Sequence, residues 1–144
     1  KGPNWTKYRG ADYITPNIKE INELLLEPIQ NKDKEVVKAA RYISRKYKIK
    51  NVLATRSEHG VSLVRAEEET HIPTRSQEVF DVSGAGDTVI AVLAAGLAGG
   101  LKGADAAFLA NLAASVVVQK LGTYAVSRDE LKQALREVAR EENR

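Results

Sequence analysis

Apolar positions along this chain fall into two rhythms, short unbroken runs and stripes spaced three to four residues apart. Residues 11–15, Ala-Asp-Tyr-Ile-Thr, read as a short strand closed by Pro16. From Asn17 to Leu25, Ile18, Ile21, Leu24 and Leu25 keep helical spacing. Pro28, Asn31 and Asp33 punctuate a loop, and a second helix is predicted over 33–47 with Val36, Ala40, Ile43 and Tyr47 on one stripe. Residues 50–55 contain Asn-Val-Leu-Ala-Thr, a buried-strand pattern, and Gly60 introduces another strand over 61–65. A short strand is expected at 70–72, with Glu67-Glu68-Glu69 before it as a solvated turn.

The character changes at Asp81. Val82-Ser83-Gly84-Ala85-Gly86-Asp87 is glycine-rich, and the stretch from there to Leu97 is apolar on every side, which predicts a helix buried all round. Gly99-Gly100 end it. A further helix is expected over 104–120. The last runs from Ser127 to about residue 142, opened by a Ser-Arg-Asp-Glu capping box and striped by Leu131, Leu135 and Val138. Helices alternating with strands predict an α/β layered domain with a mainly parallel sheet. No internal repeat or low-complexity tract interrupts it.

Composition narrows the field. The 144 residues suit one domain that buries roughly 70% of its extended-chain surface. With no cysteine, disulfide scaffolds and thiolate zinc sites are excluded. No run approaches the roughly 20 apolar residues of a membrane span, and no signal peptide is visible. The net charge of +3 comes from interspersed signs, so no nucleic-acid stripe is present. The chain lacks methionine and opens abruptly at Lys1-Gly2-Pro3, which suggests a fragment.

The glycine-rich turn carries the most chemistry. Glycines at 84 and 86 let backbone N–H groups converge on a ligand without side chains in the way. A helix N-terminus adds the equivalent of about half a positive charge. Together they suit an anion, naturally a phosphate, and the Asp87 carboxylate beside it can accept a proton from an attacking hydroxyl. A Walker A loop is excluded because no Gly-Lys-Ser/Thr ending follows. A dinucleotide fingerprint is weak, because Val89 stands where its third glycine belongs. The plain alternative is close packing by Gly-Ala-Gly, with Asp87 complementing the helix dipole.

Asp81-Val82-Ser83-Gly84-Ala85-Gly86-Asp87-Thr88 resembles the second signature of the PfkB (ribokinase-like) carbohydrate-kinase family. The resemblance implies a three-layer α/β/α fold, an anion hole at Gly84, Ala85 and Gly86, and Asp87 as catalytic base. Val92, where the general pattern prefers Gly or Ala, looks like the heptose 7-phosphate kinase branch. Thr15-Pro16-Asn17-Ile18-Lys19-Glu20 reads by itself as a capping box, with Asn17 at N-cap and Glu20 at N3. In this family the matching segment helps hold Mg²⁺ through its waters. Thr55-Arg56-Ser57-Glu58-His59-Gly60 resembles the family's Thr-x-Gly-x-x-Gly segment, with Ser57 in place of the first glycine, again as in the heptose branch. That assigns Thr55, Ser57 and Gly60 to the nucleotide, while His59 is expected to be an exposed turn residue. Asn111 and the Lys120-Leu121-Gly122-Thr123 segment resemble the adenine-side wall; the alternative for Asn111 is a polar residue satisfied at a helix surface. Trp5 and Tyr8 are expected to be packing residues.

The resemblance covers nearly the whole chain, residues 1–144, as the C-terminal nucleotide-binding half of such a kinase domain, without its N-terminal half and lid. It implies ATP and Mg²⁺ as cofactors, a phosphorylated sugar as substrate, a cytoplasmic setting, and neither a nucleic acid nor a membrane as partner. A homo-oligomer is compatible with it. The expected reaction converts D-glycero-D-manno-heptose 7-phosphate to the 1,7-bisphosphate for ADP-heptose and lipopolysaccharide core synthesis. The alternatives are a PfkB kinase for ribose or fructose phosphate, or a non-catalytic nucleotide-binding or assembly fragment.

Overall fold

The computed structural model describes residues 2–75 and 78–144; Lys1, to which the sequence assigns no role, lies outside them. The chain divides into two compact units that meet in sequence at Pro73 and Thr74.

The first unit holds strands β1 (Tyr13–Ile14), β2 (Asn51–Thr55), β3 (Val61–Arg65) and β4 (Glu68–Ile72), with helices α1 (Ile18–Asn22) and α2 (Asp33–Tyr47). The strands lie in the order β1-β2-β3-β4. Only β1 and β2 are parallel; β2–β3 and β3–β4 are antiparallel. The sheet is therefore mixed, and the parallel character expected from the sequence is confined to one pairing. Connection length is the reason. A parallel return needs a crossover of a dozen or more residues, which α1 and α2 supply between β1 and β2. Residues 56–60 and Ala66–Glu67 are long enough only for hairpins.

α2 buries Val36, Val37, Ala39, Ala40, Ile43 and Tyr47, packing mainly against β2 and β3 and also touching α1. Val52, Ala54, Val64, Ile49, Ile21 and Trp5 complete this core. Trp5 is 1% exposed and stands edge-on to Tyr8, so both behave as the packing residues expected. Asp33 and Glu35 in the first turn of α2 and Arg45 and Lys46 in the last complement its dipole. The helix ends in a left-handed Lys48 whose N–H donates to the Ser44 carbonyl.

Two local expectations are corrected here. α1 stops at Asn22 rather than running to residue 25. The Asn22 side chain turns onto the Ile29 backbone, accepting from its N–H (2.9 Å) and donating to its carbonyl (3.2 Å), a local competitor to helix continuation. The acidic run is not all turn: Glu68 and Glu69 belong to β4, opposite Arg65 and Val64, and only Ala66–Glu67 form the bend.

The second unit contains helices α3 (Ala85–Ala98), α4 (Gly103–Val117) and α5 (Arg128–Glu142). Gly96 lets α3 approach α4 closely, since a Cβ there would lie 3.3 Å from that of Ala106 and 3.2 Å from Leu101 Cδ1. Burial of α3 on every side is not observed. Val89, Leu93 and Gly96 are buried, whereas Ile90 is 40% exposed and Ala91, Ala94 and Ala95 are exposed. The buried residues form one stripe at helical spacing, and small alanines can face water at little cost. α5 opens with the expected capping box at Ser127 and Glu130. Of its stripe, Val138 is buried, Leu131 half-buried and Leu135 exposed.

Candidate functional site

In the first unit, the two sequence motifs emerge at neighbouring positions on the sheet. The parallel register of β1 and β2 continues past the strands as a bridge between Asn17 and Thr55, and the Thr55 N–H donates to the Pro16 carbonyl at 2.8 Å. The Thr-Pro-Asn cap and the Thr55–Gly60 turn thus lie side by side at the C-terminal ends of the parallel strands, where open α/β sheets bind ligands.

Asn17 Oδ1 accepts from Glu20 N at 2.8 Å and Glu20 Oε2 accepts from Asn17 N at 3.0 Å, the reciprocal capping box. One oxygen of each side chain is thus committed to the helix end. Among the described residues, no three His, Cys, Asp or Glu side chains gather as metal ligands. The donor set fits a hard cation held through water rather than by a direct protein cage.

The turn itself is a single 3₁₀ turn over Ser57–His59. Its backbone closes through Arg56 N to Gly60 O (2.8 Å), His59 N to Arg56 O (3.1 Å) and Gly60 N to Ser57 O (3.0 Å). Gly60 has φ 78° and ψ −129°, a conformation open to glycine. Ser57 has φ 53°, in the left-handed region, where a side chain costs roughly 1–2 kcal/mol. Thr55 is half-buried, and Ser57 and His59 are exposed, as expected for His59.

The residue the sequence reading passed over is Arg56, which is only 3% exposed. Its Nε donates to Asn31 Oδ1 (2.8 Å), one terminal nitrogen to Asp33 Oδ1 (2.6 Å) and Ser62 Oγ (2.9 Å), and the other to the Asn31 carbonyl (3.2 Å). Asn31 Nδ2 returns a bond to the Arg56 carbonyl at 3.0 Å, and Ser62 Oγ is 2.7 Å from His71 Nδ1. The hydrogen bond from Arg56 is the chief cause that holds the Asp33 carboxyl below its usual range.

In the second unit, Gly84 caps α3 with φ 79°, and its carbonyl accepts both Thr88 N (2.9 Å) and Thr88 Oγ1 (3.0 Å). A Cβ on Gly84 would lie 3.3 Å from Thr123 Cγ2, so the glycine permits both the left-handed turn and a close approach to the segment after α4. Ala85 N donates to the Val82 carbonyl at 3.2 Å. Gly86 and Asp87 follow as the next residues of the first turn, whose N–H groups lack intrahelical partners. A Cβ at Gly86 would meet nothing within 4 Å. Asp87 is exposed, and among the described residues its carboxylate has no hydrogen-bond or ion-pair partner.

Asp81 is the second residue missed. Its Oδ1 accepts from Ser83 N (2.8 Å) and its Oδ2 from Gly122 N (3.0 Å), tying the turn before α3 to the segment after α4. The Ser83 side chain, then the Ser83 and Gly122 backbone N–H groups, hold its carboxyl below the ordinary range. Asn111 is buried within α4 at 6% exposure.

A βαβ start, a mixed sheet and a glycine-capped helix with an acid in its first turn define an α/β protein of the ribokinase-like α/β/α class. The model of the pfkB family of carbohydrate kinases matches residues 6–130, and the chain belongs to that family. It is 46% identical over 136 residues to the bifunctional protein HldE of Vibrio parahaemolyticus, covering 94% of this chain and 28% of that protein. The chain therefore spans little more than a quarter of the curated relatives it matches. The ribokinase of Thermotoga maritima superposes with a TM-score of 0.78 at 30% identity, over 87% of this chain and 42% of that one. An Arabidopsis thaliana ribokinase complexed with ribose and ATP gives 0.79 at 26% identity, over 86% and 40%. No helix among the described residues is long and apolar enough to cross a membrane.

Proposed function

We propose that this chain is the nucleotide-binding part of an ATP-dependent sugar kinase, and that the acceptor is the anomeric hydroxyl of D-glycero-D-manno-heptose 7-phosphate. The observation that carries the kinase reading is the Gly84–Asp87 turn opening α3, which pairs first-turn amides with an exposed carboxylate that has no partner among the described residues. Family membership and the ATP-bound ribokinase neighbour support the nucleotide. The heptose rests on the Thr55–Gly60 and Val92 resemblance and on the identity to HldE.

In this mechanism the Asp87 carboxylate takes the proton of the sugar hydroxyl as its oxygen attacks the γ-phosphorus. The bond from that phosphorus to the β–γ bridging oxygen breaks, and ADP leaves. The N–H groups of the Gly84, Ala85 and Gly86 turn face the charge that develops on the phosphoryl oxygens. Of the three, the Ala85 amide is already engaged by the Val82 carbonyl, which puts the weight on Gly86 and the following amide. Thr55, Ser57, Gly60 and Asn111 contact the nucleotide. Mg²⁺, carried by the triphosphate, would neutralise phosphate charge, with Asn17 and Glu20 reaching its waters. A reaction that consumes ATP is assigned to the cytoplasm.

Asp87→Asn in the intact protein tests this directly. Loss of the base should lower kcat by about 10²–10⁴-fold, while calorimetry finds ATP affinity within a few-fold of wild type. Turnover at the wild-type rate would remove Asp87 from the mechanism. A panel of heptose 7-phosphate, ribose and fructose 6-phosphate reads the acceptor independently, and preference for either of the latter would reassign the sugar while leaving the kinase intact.

A further inference from the structure

Ser57 poses a physical problem. It stands in a left-handed conformation, φ 53°, in a turn where glycine would be unstrained. Such a conformation persists in a serine only where the surroundings over-determine it. The adjacent Arg56 is the obvious source of that constraint. Its backbone closes both ends of the turn, donating to Gly60 O and accepting from His59 N. Its side chain is held by Asn31, Asp33 and Ser62, with Asn31 gripping side chain and carbonyl at once. Neither end of this clamp can drift alone: Ser62 sits in β3, while Asn31 and Asp33 lead into α2, whose packed face forms the unit's core.

We propose that Arg56 is a positioning residue for the nucleotide: its buried guanidinium fixes the Thr55–Gly60 turn and holds Ser57 in the left-handed conformation that presents it to the ligand. This rests on the nucleotide reading of that turn. Arg56 has no contact with ATP in this scheme; it acts through the backbone it pins. Lysine cannot replace it, since a single ammonium cannot serve Asn31, Asp33 and Ser62 from the directions the planar fork reaches.

The test is a double-mutant cycle in the intact protein with Arg56→Lys, Ser57→Gly and the pair. Arg56→Lys should raise the KM for ATP about tenfold, the equivalent of one lost binding hydrogen bond, with kcat and the KM for the sugar within about twofold. In the Ser57→Gly background, where the turn is no longer strained, the same change should raise the KM for ATP by no more than about threefold. Amide hydrogen exchange at His59 and Gly60, read without ATP, should accelerate in Arg56→Lys and recover in the pair. Equal KM effects in both backgrounds, or faster exchange with the KM for ATP unmoved, would overturn the inference. Asn31→Ala, which leaves Arg56 in place but removes half its clamp, should reproduce the exchange pattern in weaker form, and unchanged exchange there counts equally against it. If wild type fails to bind ATP, the nucleotide reading falls instead, and the exchange rates still decide whether Arg56 sets the turn.

Discussion

The Thr55–Gly60 turn and the Ser83–Asp87 turn are both glycine-containing corners that offer backbone to a ligand, yet they are braced by opposite means. The first is pinned from beneath by a buried cation with partners up to 25 positions away in sequence. The second is tied at the surface by one carboxylate, Asp81, that accepts two backbone N–H groups. A buried guanidinium is little screened by salt, so the first turn keeps its shape as ionic strength changes. The half-buried Asp81 carboxylate still meets solvent and can be protonated and screened, so the second turn is adjustable. That division suits the proposed roles, with a fixed nucleotide contact in one and a phosphate-holding turn in the other.

The comparison breaks most visibly at Arg56. Arg56→Ala removes a buried side chain and its polar network together, and should lower unfolding stability by about 2–4 kcal/mol. The figure is kept below that for a fully buried pair because Asp33 is 62% exposed and can be rehydrated. Chemical denaturation reads it, and a loss under about 1 kcal/mol would mean the clamp is ornamental to folding.

At the second turn the glycines should part company. Gly84→Ala forces a Cβ into the left-handed region and to 3.3 Å from Thr123 Cγ2, costing about 1–2 kcal/mol. Gly86→Ala sits in the helical first turn with open space around the new Cβ, and should instead gain about 0.5–1 kcal/mol by restricting the unfolded chain. If the Gly86 amide serves a phosphate, that gain in stability will accompany weaker ATP turnover. Equal stability changes at the two positions would contradict the assigned backbone geometry.

How much of this was legible in sequence follows from the range of each interaction. The α2 stripe and the Asn17 and Ser127 capping boxes are set within a few residues of themselves, and periodicity or spacing reveals them. Arg56 was not legible because a charged residue in a polar turn reads as solvated; its burial depends on Asn31 and Asp33. The one available signal was a serine where the resembling family carries glycine. Asp81 was hidden similarly, since Gly122 lies 41 residues away. The antiparallel pairings could have been read, because five-residue and two-residue connections do not allow a parallel return. α3 misled for a different reason: alanine counts as apolar in a pattern yet tolerates water.

The finest prediction concerns acid. Glu130 Oε2 accepts from Ser127 N (2.9 Å) and Oε1 from the Tyr124 hydroxyl (2.8 Å), with Lys120 Nζ at 3.4 Å. These bonds, the Ser127 backbone first, lower its carboxyl from 4.5 to about 2. A folded-state pKa below the unfolded value stabilises the fold above pH 4.5, and the contribution is lost as pH falls through about 2. Glu130→Gln keeps an acceptor for the cap but cannot titrate. Thermal unfolding should therefore separate wild type from Glu130→Gln at neutral pH and bring the two together as acid is added across that window. Because Glu130 is only half-buried, with its side chain still 27% exposed, the gap will be small and will shrink with salt. A gap independent of pH would mean that the α5 cap depends on the side chain's shape rather than its charge, unlike the carboxylate tie at Asp81.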